Sequence, residues 1–85
     1  MHEYNISISN LNTQEIKNLF NFLVNKKGEK MYYRTKEALS MGNKGSYSYL
    51  CYDEREGWAR GSSSKPIITV RELYKKFGIN KNRID

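Results

Sequence analysis

Aromatic side chains occur in three short stretches of this chain, 31–35, 47–52 and 58–60, whose composition is typical of β-strands, and the first and third stretches also contain an arginine. Side chains alternate between the two faces of a strand, so a ring and a guanidinium two positions apart share a face. Exposed rings beside arginines suit the stacking of unpaired bases and the neutralisation of phosphates. The pattern therefore predicts a binding surface on the sheet, made of Tyr32, Arg34, Tyr47, Tyr49, Trp58 and Arg60.

Positive charge is unevenly distributed along the chain. The net charge is +6, and the excess lies in residues 26–36 and 71–85. Clustered positive charge favours an anionic partner such as nucleic acid, a nucleotide or an acidic protein surface, whereas evenly spread lysines would only keep the protein soluble. We expect phosphate contacts or electrostatic steering from lysines of the first segment, Lys26, Lys27, Lys30 and Lys36.

Residues for catalysis or metal binding are scarce. The only histidine, His2, lies near a terminus that we expect to be disordered, and no serine has a histidine and an aspartate placed to activate it. The only cysteine, Cys51, stands among tyrosines and fits a small buried side chain better than a nucleophile. Metal sites need several Cys or His residues at short spacing. We therefore expect no enzyme activity, no metal site and no cofactor.

Acidic and glycine-bearing stretches offer two weaker chemical interpretations. Asp53, Glu54 and Glu56 could hold a hard cation such as Mg²⁺, but they fit a solvated hairpin turn better. Residues 42–45 and 61–65 combine glycine with lysine, yet neither has the spacing or the strand-loop-helix frame of a phosphate-binding loop. We predict ordinary turns and loops at these places.

Two amphipathic helices are predicted, one near each end of the chain. A capping residue followed by glutamate three positions later, the spacing of a capping box, occurs at Asn12 and again at Thr69. Apolar residues then recur at helical spacing, and each run ends in lysines followed by a glycine. These signals predict helices over 13–26 and 70–77, with Phe22 off the centre of the first apolar stripe, either as a rim residue or as a contact.

The remaining elements complete a predicted α+β fold. Residues 4–8 alternate strictly, which predicts a half-buried strand with Asn5 on its solvent side. Residues 36–39 could form a helical turn, and 66–68 are predicted to lead directly into the last helix. An antiparallel sheet needs one face covered, and the two helices have apolar stripes to offer. We predict an antiparallel sheet of three to five strands packed against two helices, in the order β-α-β-β-β-α.

Length and composition indicate a single small domain. The 85 residues can hold one modest core, which we assign to residues 1–79, followed by a frayed basic tail over 80–85. No stretch has the roughly 20 apolar residues of a transmembrane helix, and the N-terminus lacks the features of a signal peptide. A lone cysteine suits a reducing compartment. We therefore expect a cytoplasmic protein with no membrane partner.

These observations favour a small, basic, non-catalytic protein that binds nucleic acid, or a protein complex carrying nucleic acid, through the aromatic and basic surface. In size and composition the chain also resembles the small accessory proteins, anti-CRISPR proteins among them, that phages make to disable host machinery. That resemblance covers no motif, and it implies an inhibitor that blocks a host protein or nucleoprotein complex, for which aromatic and arginine residues are also suited. A third hypothesis is sequestration of a small anionic nucleotide between rings and arginines.

Overall fold

The computed structural model describes residues 2–77, in which a four-stranded sheet packs against helices. The elements follow in the order β1 (Asn5–Ser7), α1 (Thr13–Phe20), a π-helical segment (Asn21–Lys26), α2 (Tyr33–Ser40), β2 (Tyr49–Asp53), β3 (Gly57–Arg60), β4 (Ile67–Thr69) and α3 (Val70–Lys76). The predicted end of the domain and the tail over 80–85 lie outside the described residues. Among those described, no helix is both long enough and apolar enough to cross a bilayer.

The sheet is mixed, with strand order β3-β2-β1-β4. β2 pairs antiparallel with β1 and with β3, while β4 pairs parallel with β1, with Ile68 opposite Ile6. The predicted α+β class and strand number are confirmed. The prediction of a wholly antiparallel sheet is wrong, because Ile67–Thr69, predicted only as the segment leading into α3, forms a strand of 3 residues that pairs parallel with β1. A strand this short shows too little alternation to be recognised from its sequence.

The stretch 31–35, predicted as a strand, is where α2 begins. Tyr32 is the extended N-cap residue, and the Lys36 amide donates to the Tyr32 carbonyl over 2.8 Å. Met31 alone keeps strand character, in an isolated parallel bridge with Trp58. The observed order is therefore β-α-α-β-β-β-α, counting α1 and the π-helical segment as one helical path.

Packing explains why this stretch is helical in spite of its tyrosines. Thr35 and Leu39, four residues apart, are both buried, so a helix here places an inward stripe against the core. The three residues between Thr35 and Leu39 also favour a helix by their intrinsic propensity, namely Lys36, Glu37 and Ala38. Burial of a helical stripe outweighs the β-propensity of adjacent tyrosines, which is strongly context-dependent.

Both predicted capping boxes are confirmed. The Glu15 amide donates to Asn12 Oδ1 over 2.8 Å, and the Glu72 amide donates to Thr69 Oγ1 over 3.1 Å. In each box the glutamate side chain accepts from the backbone amide of the capping residue. The first helix extends to Lys26, as predicted, but its last part is π-helical.

The π-helical segment changes the position of Phe22. The Lys27 amide donates to the Phe22 carbonyl over 3.0 Å, five residues back, which is the π-helical pattern. Phe22 is buried and makes edge-on contacts with Tyr74 and Phe77 at centroid distances of 5.0 and 5.4 Å. Of the two predictions for Phe22, the rim position is therefore wrong, whereas its contacts lie within the core.

Both faces of the central strand β1 are covered. Ile6 faces a core that includes Leu50 and Trp58. Asn5, expected on the solvent side, is fully buried, because the loop between β3 and β4 crosses its face. Ser63 Oγ donates to Asn5 Oδ1 over 2.8 Å, and Asn5 Nδ2 donates to the Ser63 carbonyl over 3.0 Å.

Candidate functional site

Several of the aromatic and basic residues singled out in the sequence line one open groove of about 280 Å³. The groove lies beside β3, which stands at one edge of the sheet, next to β2, among the strands that residues 2–77 form. α2 borders it on one side and the loop before β2 on another. Its lining residues are Tyr32, Arg34, Thr35, Tyr47, Glu56, Ala59 and Arg60.

Two hydrogen bonds fix the start of α2 against β3, and these two elements form two sides of the groove. The Tyr32 amide donates to the Trp58 carbonyl over 2.8 Å, and the Arg60 amide donates to Thr35 Oγ1 over 3.1 Å. Thr35 is buried, so this hydroxyl is shielded from competing water. Tyr32 and Arg34 therefore project from a helix start whose distance to β3 is set by the fold.

Arg60 and Tyr47 lie against each other in the groove, with the Tyr47 ring exposed. The guanidinium carbon of Arg60 lies 4.8 Å from the centre of the Tyr47 ring, within the range of a cation-π contact. Tyr47 is 45% exposed although it is a large aromatic residue. Gly45 allows this approach, since a Cβ at its position would lie 3.2 Å from Arg60 Nη1.

The loop that carries Tyr47 is anchored at its far side. Lys44 Nζ donates to the backbone carbonyl of Ser9 and, over 3.5 Å, to that of Leu11. Gly42 has φ 77°, and a Cβ there would lie 2.4 Å from Thr13 Cγ2, so glycine is required for this close packing. The loop is thereby fixed to the connection between β1 and α1, and Tyr47 is held in place before any ligand arrives.

Two tyrosines and an arginine make a second exposed group at the start of α2. Arg34 Nε donates to Tyr33 Oη over 3.0 Å, and the rings of Tyr32 and Tyr33 lie 4.8 Å apart. The hydrogen bonds from Arg34 and Tyr32 lower the pKa of Tyr33, and the bond to Tyr33 raises the pKa of Tyr32. Tyr33 is 64% exposed and was missed by the sequence analysis, because strand alternation places it on the opposite face.

Glu56 lines the groove, although its sequence pattern predicted only a solvated turn. It follows Asp53, whose Oδ1 accepts the amides of Arg55 and Glu56 over 2.7 and 3.1 Å. These bonds lower the pKa of Asp53 and confirm the predicted turn. The turn brings the Glu56 side chain into the groove. No local signal in the sequence reports this, because it depends on the position of α2.

Trp58 does not belong to the surface. It is fully buried, its Nε1 donates to Glu29 Oε1 over 3.3 Å, and the Tyr52 ring packs edge-on against it at 5.3 Å. The expectation that its ring is exposed on the sheet surface is therefore wrong. Tyr49 is half-buried on β2, next to Leu50. Because Leu50 is paired with Arg60, Tyr49 lies on the opposite face from Arg60 and outside the groove.

The four predicted lysines fall into two places, and none of them lines the groove. Lys36 is exposed on α2, and Lys30 Nζ donates to the Arg55 carbonyl over 3.1 Å, next to the turn that carries Glu56. Lys27 Nζ instead lies 4.4 Å from the centre of the Phe77 ring, at the end of the π-helical segment beside the equally exposed Lys26. Of the four, Lys36 is on a helix that borders the groove, and Lys30 contacts the turn that carries Glu56.

Other chemically distinctive residues are structural. His2, expected in a disordered terminus, stacks on Tyr52 at 3.5 Å, and its Nε2 lies 2.5 Å from Glu29 Oε1. Cys51 is half-buried, and burial raises the pKa of its thiol, which disfavours the reactive thiolate. Within residues 2–77, no group of three His, Cys, Asp or Glu side chains converges as metal ligands would.

Comparison with known proteins finds no matching family model, no similar curated protein and no similar solved structure. What the groove does must therefore be inferred from its own side chains.

Proposed function

We propose that this protein is a non-catalytic binding module that contacts nucleic acid, alone or within a nucleoprotein complex, through the groove between α2 and β3. The observation that carries the proposal is the pairing of exposed Tyr47 with Arg60, beside Arg34 and Tyr32. A cytoplasmic setting is part of the proposal, since the single Cys51 stays a thiol in a reducing compartment.

Exposed, fixed rings support contact with unpaired bases. An aromatic ring that stacks on a base contributes roughly 1–3 kcal/mol to binding of single strands. Tyr47 is held by the anchored loop and by Arg60, so little conformational freedom is lost when a base stacks on it. Duplex DNA hides its base faces within the stack, so this arrangement favours single strands or unpaired loops.

Positive charge around the groove supports contact with the phosphate backbone. Arg34 and Arg60 line the groove, Lys36 is exposed on α2, and Lys30 contacts the turn that carries Glu56. Arginine suits this role because its planar fork can bind phosphate oxygens in pairs and also stack on rings. Binding that depends on such contacts releases counterions and weakens steeply as salt rises.

Fluorescence anisotropy with labelled single-stranded and double-stranded oligonucleotides tests the proposal. We expect single strands to bind at low salt, more tightly than the duplex, and with an affinity that falls linearly with salt on logarithmic axes. Arg60→Ala should weaken binding, whereas Arg71→Ala, which removes an exposed arginine from α3, should have little effect. Absence of single-strand binding at low salt would contradict the proposal.

A second candidate function is inhibition of a host protein through the same side of the molecule, as in phage accessory proteins. The observation that favours it is exposed apolar surface at both ends of α2, where Tyr33 is 64% and Met41 is 67% exposed. Aromatic residues, methionine and arginine are enriched at protein interfaces. This alternative predicts that tagged protein recovers a stoichiometric protein partner from cells and that nuclease treatment does not release it.

A further inference from the structure

Glu56 is an unexpected residue in a groove that is proposed to attract phosphates. It is the only acidic residue lining the groove in the part of the chain that the structure describes, and its side chain is exposed. The turn does not need its carboxylate, because Asp53 Oδ1 already accepts the turn amides. A carboxylate repels phosphate, so a purely backbone-binding groove would bind better without it.

A carboxylate beside two arginines is complementary to one base in particular. Guanine presents two adjacent donors, N1–H and N2–H₂, on its pairing edge, and these match the two oxygens of a carboxylate. On its other edge guanine presents O6 and N7, two acceptors that arginine binds in a bidentate manner. Adenine and cytosine each present one donor next to an acceptor, and thymine and uracil flank their one donor with carbonyl oxygens.

We infer that the groove recognises an unpaired guanine, with Glu56 accepting from N1 and N2, Arg34 or Arg60 on the O6 and N7 edge, and the ring stacked on Tyr47. This inference rests on the proposed function and specifies its ligand. The groove volume of about 280 Å³ is just below the roughly 300–1,000 Å³ of pockets for larger ligands, so it suits one base. The pairing edge of guanine is free only when the base is unpaired.

Short oligothymidylate strands with one central guanine, inosine, adenine or thymine test the inference by fluorescence anisotropy at one low salt concentration. A single guanine avoids self-association of guanine runs, and inosine lacks only the N2 amine. The proteins compared are the wild type, Glu56→Gln and the matched control Glu54→Gln. Glu54 lies in the same turn but does not line the groove.

We expect the wild type to bind the guanine strand about tenfold more tightly than the all-thymine strand, with inosine between them. Glu56→Gln should remove this preference, because an amide group opposes one guanine donor with a donor of its own. The same change should leave binding of the all-thymine strand equal or stronger, since a negative charge near the phosphates is gone. Glu54→Gln should keep the preference.

Equal binding of all four strands by the wild type, or an unchanged guanine preference in Glu56→Gln, would overturn the guanine inference and leave the proposed function standing. Absence of binding to every strand would overturn both. Competition with free guanosine monophosphate identifies the source of the base. Displacement by it, but not by adenosine monophosphate, supports recognition of a free nucleotide, and a guanine preference without displacement supports recognition within a strand.

Discussion

The guanidinium carbon of Arg60 lies 4.8 Å from the centre of the Tyr47 ring, although Arg60 belongs to a strand and Tyr47 to a loop. Arg60 ends β3, and Tyr47 precedes β2. The contact covers one face of the ring, so an incoming base can stack on the other face or on the guanidinium plane. It thus joins a stacking platform and a positive charge in one preformed unit.

Two substitutions of Tyr47 distinguish the contribution of its ring to binding from that of its hydroxyl. Tyr47→Leu should weaken single-strand binding by about 1–3 kcal/mol, because the stacking platform is lost, whereas Tyr47→Phe should bind nearly as the wild type does. Anisotropy titrations at one salt concentration measure both. Equal losses in the two variants would show that the hydroxyl, not the ring, makes the contact.

Removal of the Lys44 anchor should affect binding from a distance. Lys44→Met deletes the bonds to the Ser9 and Leu11 carbonyls and should lower the free energy of unfolding by about 1 kcal/mol. It should also weaken single-strand binding, because the loop carrying Tyr47 becomes less ordered. Lys75→Met, which removes the same charge from an exposed position on α3, is the control. Identical affinities of the two variants would mean that Lys44 contributes only its charge.

Substitution of Trp58 should affect stability without affecting binding. Trp58→Phe leaves part of a fully buried site unfilled and removes the donor to Glu29, so the free energy of unfolding should fall by about 1–3 kcal/mol. Urea unfolding measures this change, and affinity is compared at a temperature where both proteins are folded. A large loss of affinity in the folded variant would return Trp58 to the binding surface.

Alkaline stability should depend on Tyr74. Burial raises its pKa to about 12, against about 10 in an unfolded chain. Between these values the unfolded state releases the proton while the folded state retains it, so stability should fall as pH rises above about 10. Tyr74→Phe should flatten this part of the profile, measured by urea unfolding at several pH values. If the free energy of unfolding of the variant fell as steeply above about pH 10, Tyr74 would not be the residue responsible.

Tyr74→Phe should also not reduce stability at neutral pH. Among the residues that the structure describes, the buried Tyr74 hydroxyl has no hydrogen-bond partner. Its removal therefore eliminates a desolvation penalty without breaking a described bond. A marked loss of stability at neutral pH would show that the hydroxyl is bonded after all.

The starts of α1 and α3 were the most predictable features, because a capping box is a local signal. Asn12 with Glu15, and Thr69 with Glu72, fix the beginnings of α1 and α3 within four consecutive residues each. The switch to π-helical geometry was not predictable in this way. Within this segment Phe22 packs against Tyr74 and Phe77, which are distant in sequence, and no local pattern indicates these contacts.

The groove was predicted in part, and for a reason that proved wrong. Tyr32 and Arg34 were paired because they share a face of a strand, yet they line the groove from the N-cap and first turn of α2. The prediction that Trp58 is exposed was wrong because alternation along β3 does not indicate which face of the sheet the helices cover. Glu56 was missed because its place in the groove depends on tertiary packing of the turn against α2.

NMR can map the binding surface, by following backbone amide shifts while a guanine-containing single strand is added to labelled protein. The largest shifts should cluster around the groove residues Tyr32, Arg34, Tyr47 and Arg60. Shifts concentrated instead near Lys27 and Phe22, or around Cys51 on the opposite face of the sheet, would contradict this prediction.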